Sequence, residues 1–351
     1  MPKPALASAL PIRTPYPRDL EEVALQLAEH LRQGSEEIFT PIPSAFPLHN
    51  QELGGGYHAG DLVVVGGVQN VGKTAWILQD ASAVSETGAL AIVVCYEHTT
   101  VHLLERLLCQ QALAYLQPQS GAASLSVVDL RRGYVEALRV GSDQMLDQLL
   151  ARVPEGTTAW NRLSRVNKRI WLVMGDSEYT TPEALDAYIQ MGLAYASRVV
   201  LYVDYAQAVP VFSRERPLAV EERVEKLFRF AKARAMRYAE EGKSVVVALV
   251  AAVDAEGLRQ GRVHFENLWG TAVTQFEPDV ALILNRDGRG ADGVPQVRIG
   301  LEKNRHGPAD LEFRYRYRGA AYWFDPAGEA VSRADSWQVE RFTGKRRTMG
   351  K

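Results

Sequence analysis

Residues 61–75 read DLVVVGGVQNVGKTA, and the fold is decided there. Residues 62–65 are a short all-apolar run suited to a buried parallel strand, and residues 75–83 (AWILQDASA) carry helix formers with apolar positions on one side. Between them Gly67, Gly72, Lys73 and Thr74 fit the spacing G-x-x-x-x-G-K-[ST]. A loop that joins strand to helix in this way turns backbone N–H groups and a helix N-terminus towards one point, which makes an anion site. Glycine is required because a β-carbon would block the tight turn or hold the backbone away from a phosphate. Lys73 offers a point charge to β and γ phosphates, and Thr74 a hydroxyl ligand for Mg²⁺. The candidate nucleotide-binding loop is therefore Gly67, Val68, Gln69, Asn70, Val71, Gly72, Lys73, Thr74 and Ala75.

Composition bounds what surrounds that loop. A chain of 351 residues is one large or two ordinary domains, ample for an α/β core. Its 46 % hydrophobic and 23 % charged content is that of a soluble globular protein. A net charge of -2 excludes nucleic-acid binding by bulk charge alone, though not by local loops. The two cysteines make neither a disulfide framework nor a metal-ligand spacing, which suits a reducing cytoplasm; Cys95 sits inside an apolar run and reads as core. The longest apolar runs, residues 89–95 and 245–253, fall short of the about 20 residues that span a bilayer. Pro4, Pro11, Pro15 and Pro17 interrupt any signal-peptide core, so the expected location is cytoplasmic, without membrane contact.

Along the chain, residues 1–18 are proline-rich and read as irregular or extended. Residues 19–32 (DLEEVALQLAEHLR) place Leu20, Val23, Leu27 and Leu31 at helical spacing behind acidic N-terminal residues. Those leucines are buried either in the chain's own core or in a groove on a neighbouring subunit. Gly54, Gly55, Gly56 and Gly60 mark turns before the first core strand. Residues 88–96 read as a second, central strand ending in Glu97. That carboxylate is either a general base facing the ligand crevice or a surface cap on the next helix. Residues 101–170 read as mostly helical, with no chemistry. Strands are expected at 170–174 and 199–204, with a helix between them that starts at Thr181-Pro182-Glu183.

The run VVLYVDYAQ puts Asp204 directly after an apolar strand, where a carboxylate holds Mg²⁺ through water and complements Thr74. A charged helix at 221–241, a strand at 244–253, a polar mobile loop at 254–266 and a strand at 280–284 follow. Residues 297–313 alternate, turn at His306-Gly307-Pro308 and return as a β-hairpin, with Lys303 and Arg305 on one face. Two such cations are either an exposed solvated pair or an arginine finger for a neighbour's γ-phosphate. The end, RFTGKRRTMGK (341–351), is a short basic tail.

These pieces, in this order, resemble the C-terminal motor domain of the DnaB-type hexameric replicative helicases, a branch of the RecA-like ATPases, over residues 42–324. IPSAF and GGGYHAGDLVVVGG resemble the family's opening segment, GVQNVGKTA its phosphate loop, and CYEHT its catalytic-glutamate motif. MGDSEYTTPEAL resembles the segment that precedes the Walker B motif, LYVDYAQ that motif itself, and EKNRHGP its finger hairpin. The resemblance implies an α/β RecA-like P-loop ATPase core, a mostly parallel sheet flanked by helices with a C-terminal β-hairpin. It implies ATP and Mg²⁺, with Glu97 as base, Asp204 on the metal and Gln207 as nucleotide sensor. Lys303 and Arg305 would act in trans, within a homohexameric ring that binds single-stranded DNA and is served by a protein loader or recruiting partner.

The domains expected are an extension (1–40) with one linker-like helix, the motor (41–330) and the basic tail (331–351). Where the family usually has a helical N-terminal domain, this sequence shows only the helix at 19–32 before the motor segment, and Val250-Ala251 stands where the family has a Ser-Gln pair. In the DNA-binding loop Asn267, Trp269, Gly270 and Thr271 stand where the family has an arginine and small residues. Trp269 there is either a base-stacking platform or buried. Two readings follow: a ring-forming DNA motor, and a non-unwinding RecA-like ATP switch or assembly factor of a mobile-element or defence system. A RecA-type recombinase fits less well because the finger hairpin has the helicase form.

Overall fold

A computed structural model describes residues 17–34, 36–116, 125–140, 146–213, 216–254, 257–259, 261–268, 270 and 272–331. The proline-rich start up to residue 16 and the basic tail lie outside them. In chain order the elements begin with α1 (Leu20–Arg32), α2 (Pro47–Glu52), β1 (Leu62–Gly67), α3 (Lys73–Glu86), β2 (Leu90–Cys95) and α4 (Thr100–Leu116). Three shorter helices follow, α5 (Val127–Val140), α6 (Leu146–Leu150) and α7 (Gly156–Ser164), then β3 (Ile170–Met174), α8 (Pro182–Leu193), β4 (Arg198–Asp204) and α9 (Val220–Glu240). The chain closes with β5 (Ser244–Ala251), β6 (Val280–Arg289), β7 (Pro295–Asn304), β8 (Leu311–Arg318), β9 (Trp323–Phe324) and β10 (Glu329–Ala330).

One sheet runs in the order β10-β8-β7-β6-β1-β5-β4-β2-β3, with β9 paired to β8. The strands from β6 to β3 in that order pair in parallel, whereas β7, β8 and β10 add antiparallel. The parallel strands read as unbroken apolar runs because helices cover both faces. Alternate residues divide between them: Val63 and Val65 pack towards Trp76 of α3 and Leu107 of α4, and Leu62 and Val64 towards Ile189 of α8 and Phe228 of α9. Each such side chain withdrawn from water contributes about 1.5–3 kcal/mol.

The hairpin forms where the alternation places it, and α8 begins at Pro182 behind a Thr181 cap that accepts from Ala184 N–H. The second strand differs from expectation in place: β2 lies next to the edge strand β3, so Glu97 leaves the sheet near its rim and not at its centre. Helix α2, with Pro47 in its first turn, falls in a segment whose glycines suggest only turns.

At the other end, α1 carries a capping box between Asp19 and Glu22, yet none of its residues is buried. Leu20, Leu25 and Leu31 are 88 %, 60 % and 61 % exposed. The chain's own core therefore does not receive them. The helix is held through Gln26 Nε2, which donates to Glu240 O at 2.9 Å, and through Arg18, which pairs with Glu240.

A buried carboxylate ties the helix after the phosphate loop to the sheet. Asp80 of α3 accepts from Tyr57 Oη and Tyr202 Oη, both at 2.9 Å, and from Ala45 N–H at 3.0 Å. Burial raises its pKa from an ordinary 3.8 to about 6, against the pull of those three donors. A carboxyl held more protonated in the fold than in the unfolded chain contributes stability that is complete below about pH 4 and lost as pH rises through about 6. Asp80→Asn removes that dependence. The unfolding free energy of the variant minus that of the wild type is expected to grow by about 2 to 2.5 kcal/mol from pH 4 to pH 7. Denaturant melts at the two pH values measure it, and an unchanged difference would refute the assignment.

Candidate active site

The loop after β1 has the backbone its glycines are needed for. Gly67 sits at φ 146°, and a β-carbon there would fall 2.5 Å from Leu284 O; Gly72 sits at φ 105°, where a β-carbon would meet the Phe324 ring at 2.8 Å. Asn70 takes the left-handed conformation at φ 57°, which asparagine tolerates. Helix α3 starts at Lys73 with no side-chain cap, so its first N–H groups stay directed at the loop. Arg286, at the far end of β6, donates to Gln69 O at 3.0 Å and braces the loop from the side.

Within this cradle Lys73 Nζ donates to Gly67 O at 2.8 Å and Val68 O at 2.9 Å. Burial lowers its pKa, and the nearby carboxylates of Asp204 and Glu97 oppose that shift. Thr74 Oγ1 donates to Asp204 Oδ2 at 2.6 Å, which brings together the two side chains singled out as metal ligands. Burial raises the Asp204 pKa, the charge of Glu97 adds to the rise, and the bond from Thr74 restrains it. Cys95 is core as expected, and its thiol also approaches Asp204 Oδ2 at 3.8 Å.

A cavity of about 880 Å³ opens over the strand ends, and Lys73, Thr74, Glu97, Asp204 and Gln207 all line it. Glu97 is exposed, two residues beyond β2. Gln207 is nearly buried, and its Oε1 accepts from Ala252 N–H at 3.2 Å, just past the end of β5. Two features of this cleft escape the sequence. Arg106 of α4 reaches it from helices that read as devoid of chemistry, its guanidinium 4.6 Å from the centre of the Tyr322 ring. His98 lies beside it, its pKa lowered to about 4 by burial and by the charges of Arg106 and His102. The sequence signal is weak: His102 and Arg106 share a face of α4, and His98 stands just before the helix begins.

The donor set fits a nucleotide with Mg²⁺. A loop whose Gly67 and Gly72 take left-handed backbone, an ammonium and uncapped helix amides suit phosphate, and a hydroxyl beside a carboxylate suits a hard cation. Among the described residues no group of three or more His, Cys, Asp or Glu could hold a metal ion.

Lys303 and Arg305 lie elsewhere. Asn304 pairs with Val280 at the start of β6, whereas Leu284, four residues on, pairs with Gly67. The two cations are thus roughly 10 to 16 Å from the phosphate loop along the strand direction, at the opposite end of the strands, where β1 and β6 begin. Lys303 Nζ donates to Gln275 O at 2.7 Å and Phe276 O at 2.9 Å; Arg305 donates to Phe276 O at 2.8 Å and pairs with Asp279 at 3.2 Å. His306 anchors the turn, its Nε2 2.9 Å from Asp61 Oδ1, and that bond raises its pKa.

Of the loop residues expected to meet DNA, Trp269 and Thr271 lie outside the described residues. Asn267 is nearly buried, and its side chain accepts from His264 N–H at 2.7 Å; it supports the loop from inside. Gly270 sits at φ 159°, where a β-carbon would fall 2.7 Å from Thr274 Oγ1. No helix among the described residues is long and apolar enough to cross a membrane.

No family model matches the chain, and no curated protein matches it in sequence. Solved structures do. One of them, a helicase ATPase domain, aligns with a TM-score of 0.64 at 16 % identity, over 88 % of this chain and 99 % of that one. A DnaB-like replicative helicase, described with its interactions with primase, aligns at 0.61 and 16 % identity, over 88 % of this chain and 67 % of that one. The chain has the RecA-like fold of DnaB-like helicase ATPase domains, a mostly parallel sheet between helices.

Proposed function

We propose that this protein is an ATP-hydrolysing, ring-forming DNA motor of the DnaB-like helicase type, a cytoplasmic homo-oligomer, most simply a hexamer. Residues 41–330 are its motor, 1–40 an extension and 331–351 a basic tail. The observation that carries this reading is that Lys303 and Arg305, the residues read as the finger, lie at the opposite end of the strands from the phosphate loop. The phosphate loop, Glu97 and Asp204 lie at one end of the strands, and Lys303 and Arg305 at the other. Only a second copy can bring them together. The exposed leucines of α1 supply a further contact between copies.

In this reading Lys73 and the loop amides hold the β and γ phosphates of ATP, and Thr74 and Asp204 hold Mg²⁺. Bound Mg²⁺ neutralises charge that develops on the phosphate oxygens. Glu97, exposed in the cleft, takes the proton of the water that attacks the γ-phosphorus in line. Arg305 and Lys303 of the neighbouring subunit meet the same phosphate, and Gln207 transmits its loss to the end of β5 through Ala252. Single-stranded DNA passes through the ring beside the loop that holds Asn267 and Gly270, and a protein loader or recruiting partner delivers the ring.

A forked DNA substrate tests the function. ATP-dependent strand displacement, with rings around a central strand in particle images, is the expected result. The inward-facing Asn267 favours a second reading, a nucleotide-gated switch or assembly factor that does not unwind. DNA-stimulated hydrolysis without displacement would select it. Hydrolysis by a protein that never assembles and ignores DNA would exclude both.

A further inference from the structure

Asp279 lies immediately before β6 and is 4 % exposed, deep for a carboxylate. Its charge is held from two sides. Oδ2 accepts from Leu62 N–H at 2.8 Å and from Lys232 Nζ of α9 at 2.7 Å, and Oδ1 pairs with Nη1 of Arg305 at 3.2 Å. Leu62 opens the strand that ends at the phosphate loop, and Lys232 also donates to Gly60 O at 3.0 Å. The carboxylate is therefore fixed to rigid backbone before it meets the guanidinium. Arg305 itself is half exposed, and a second tether joins Nη2 to Phe276 O at 2.8 Å. A guanidinium carries five N–H donors in a planar fork, so two tethers set its direction and leave donors free for a phosphate.

We propose that Asp279 is a positioning residue for Arg305. It fixes the plane and reach of the guanidinium on the surface of one copy, so that the fork arrives at the triphosphate of the next already oriented. The proposal rests on the reading of Arg305 as a group that acts in trans. An arginine on a long flexible stem would otherwise lose rotamer freedom at the moment of reaction; a buried, doubly anchored carboxylate removes that cost beforehand.

Asp279→Asn tests this. The amide oxygen can keep the bonds from Leu62 and Lys232, which turns its NH₂ towards Arg305, where it cannot accept. Expected is a kcat about 10- to 100-fold lower, the size usual for loss of a supporting partner, with affinity for a fluorescent ATP analogue unchanged. In the Arg305→Ala background the same change should cost nothing more. Should Asp279→Asn fail to fold, Asp279→Glu keeps the charge beside Lys232 but displaces it by one methylene, and the same loss of kcat with the same non-additivity is expected. A wild-type kcat in a folded variant overturns the proposal. So do losses that multiply in the double variant, or a fall in nucleotide affinity that matches the fall in kcat, the mark of a merely structural role. Wild-type turnover in Arg305→Ala alone would instead remove the trans reading on which the proposal stands.

Discussion

Arg305→Ala is expected to lower ATP turnover by about 10³- to 10⁵-fold, or roughly 4–7 kcal/mol of barrier, while nucleotide binding stays near wild type. Binding survives because the phosphate loop, Lys73 and Thr74 all lie at the opposite end of the strands and lose no contact. Turnover falls because charge that spreads over the phosphate oxygens in the transition state has lost its guanidinium. Mixing sharpens the test. An Arg305→Ala chain keeps an intact cleft, and a Lys73→Ala chain keeps an intact finger. A mixture of the two should recover activity that neither shows alone, measured as phosphate release against mixing ratio. Wild-type turnover in Arg305→Ala, or a mixture as inactive as its components, would refute action across an interface.

Glu97→Gln should be nearly as severe and should fail the same rescue. Glutamine keeps the shape of the side chain but cannot take a proton, and loss of a positioned base removes about 10²- to 10⁴-fold in rate. ATP should still bind and should accumulate uncleaved, which a filter assay with labelled nucleotide detects. Glu97 and Lys73 line the same cleft, so a mixture of Glu97→Gln with Lys73→Ala supplies no subunit with a working cleft and should stay inactive. Turnover within tenfold of wild type would dismiss Glu97 as the base and turn attention to the other carboxylate in the cleft, Asp204.

The phosphate loop was legible because it is local: strand, glycine turn and helix follow one another from Leu62 to Glu86, and each is set by its own residues. The pairing of Thr74 with Asp204 was legible for a similar reason, since an apolar run that ends in aspartate places its carboxylate at the end of a strand. Strand order was not. Whether β2 lies at the centre or beside the rim depends on the packing of α3, α4 and α8, which no short window records. Arg106 escaped because α4 reads as an ordinary helix, and only the folded chain brings that guanidinium over Tyr322, a residue from the other end of the described chain. Asp80 escaped likewise: its partners Ala45, Tyr57 and Tyr202 come from three separate stretches. The exposed stripe of α1 was visible as periodicity, and the fold adds only that its own core leaves it uncovered.

In the proposed ring, that the phosphate loop and the Lys303–Arg305 turn lie at opposite ends of the strands also fixes how copies can be counted. Contact of unlike faces propagates head to tail, so every subunit has a donor side and an acceptor side and the assembly carries a sense of rotation. An arc of subunits that stops short of closing has one competent junction fewer than it has members, with an idle cleft at one extremity and an idle finger at the other. Closure removes both at a stroke. Activity per subunit should therefore climb with assembly size and level off only when the circle is complete.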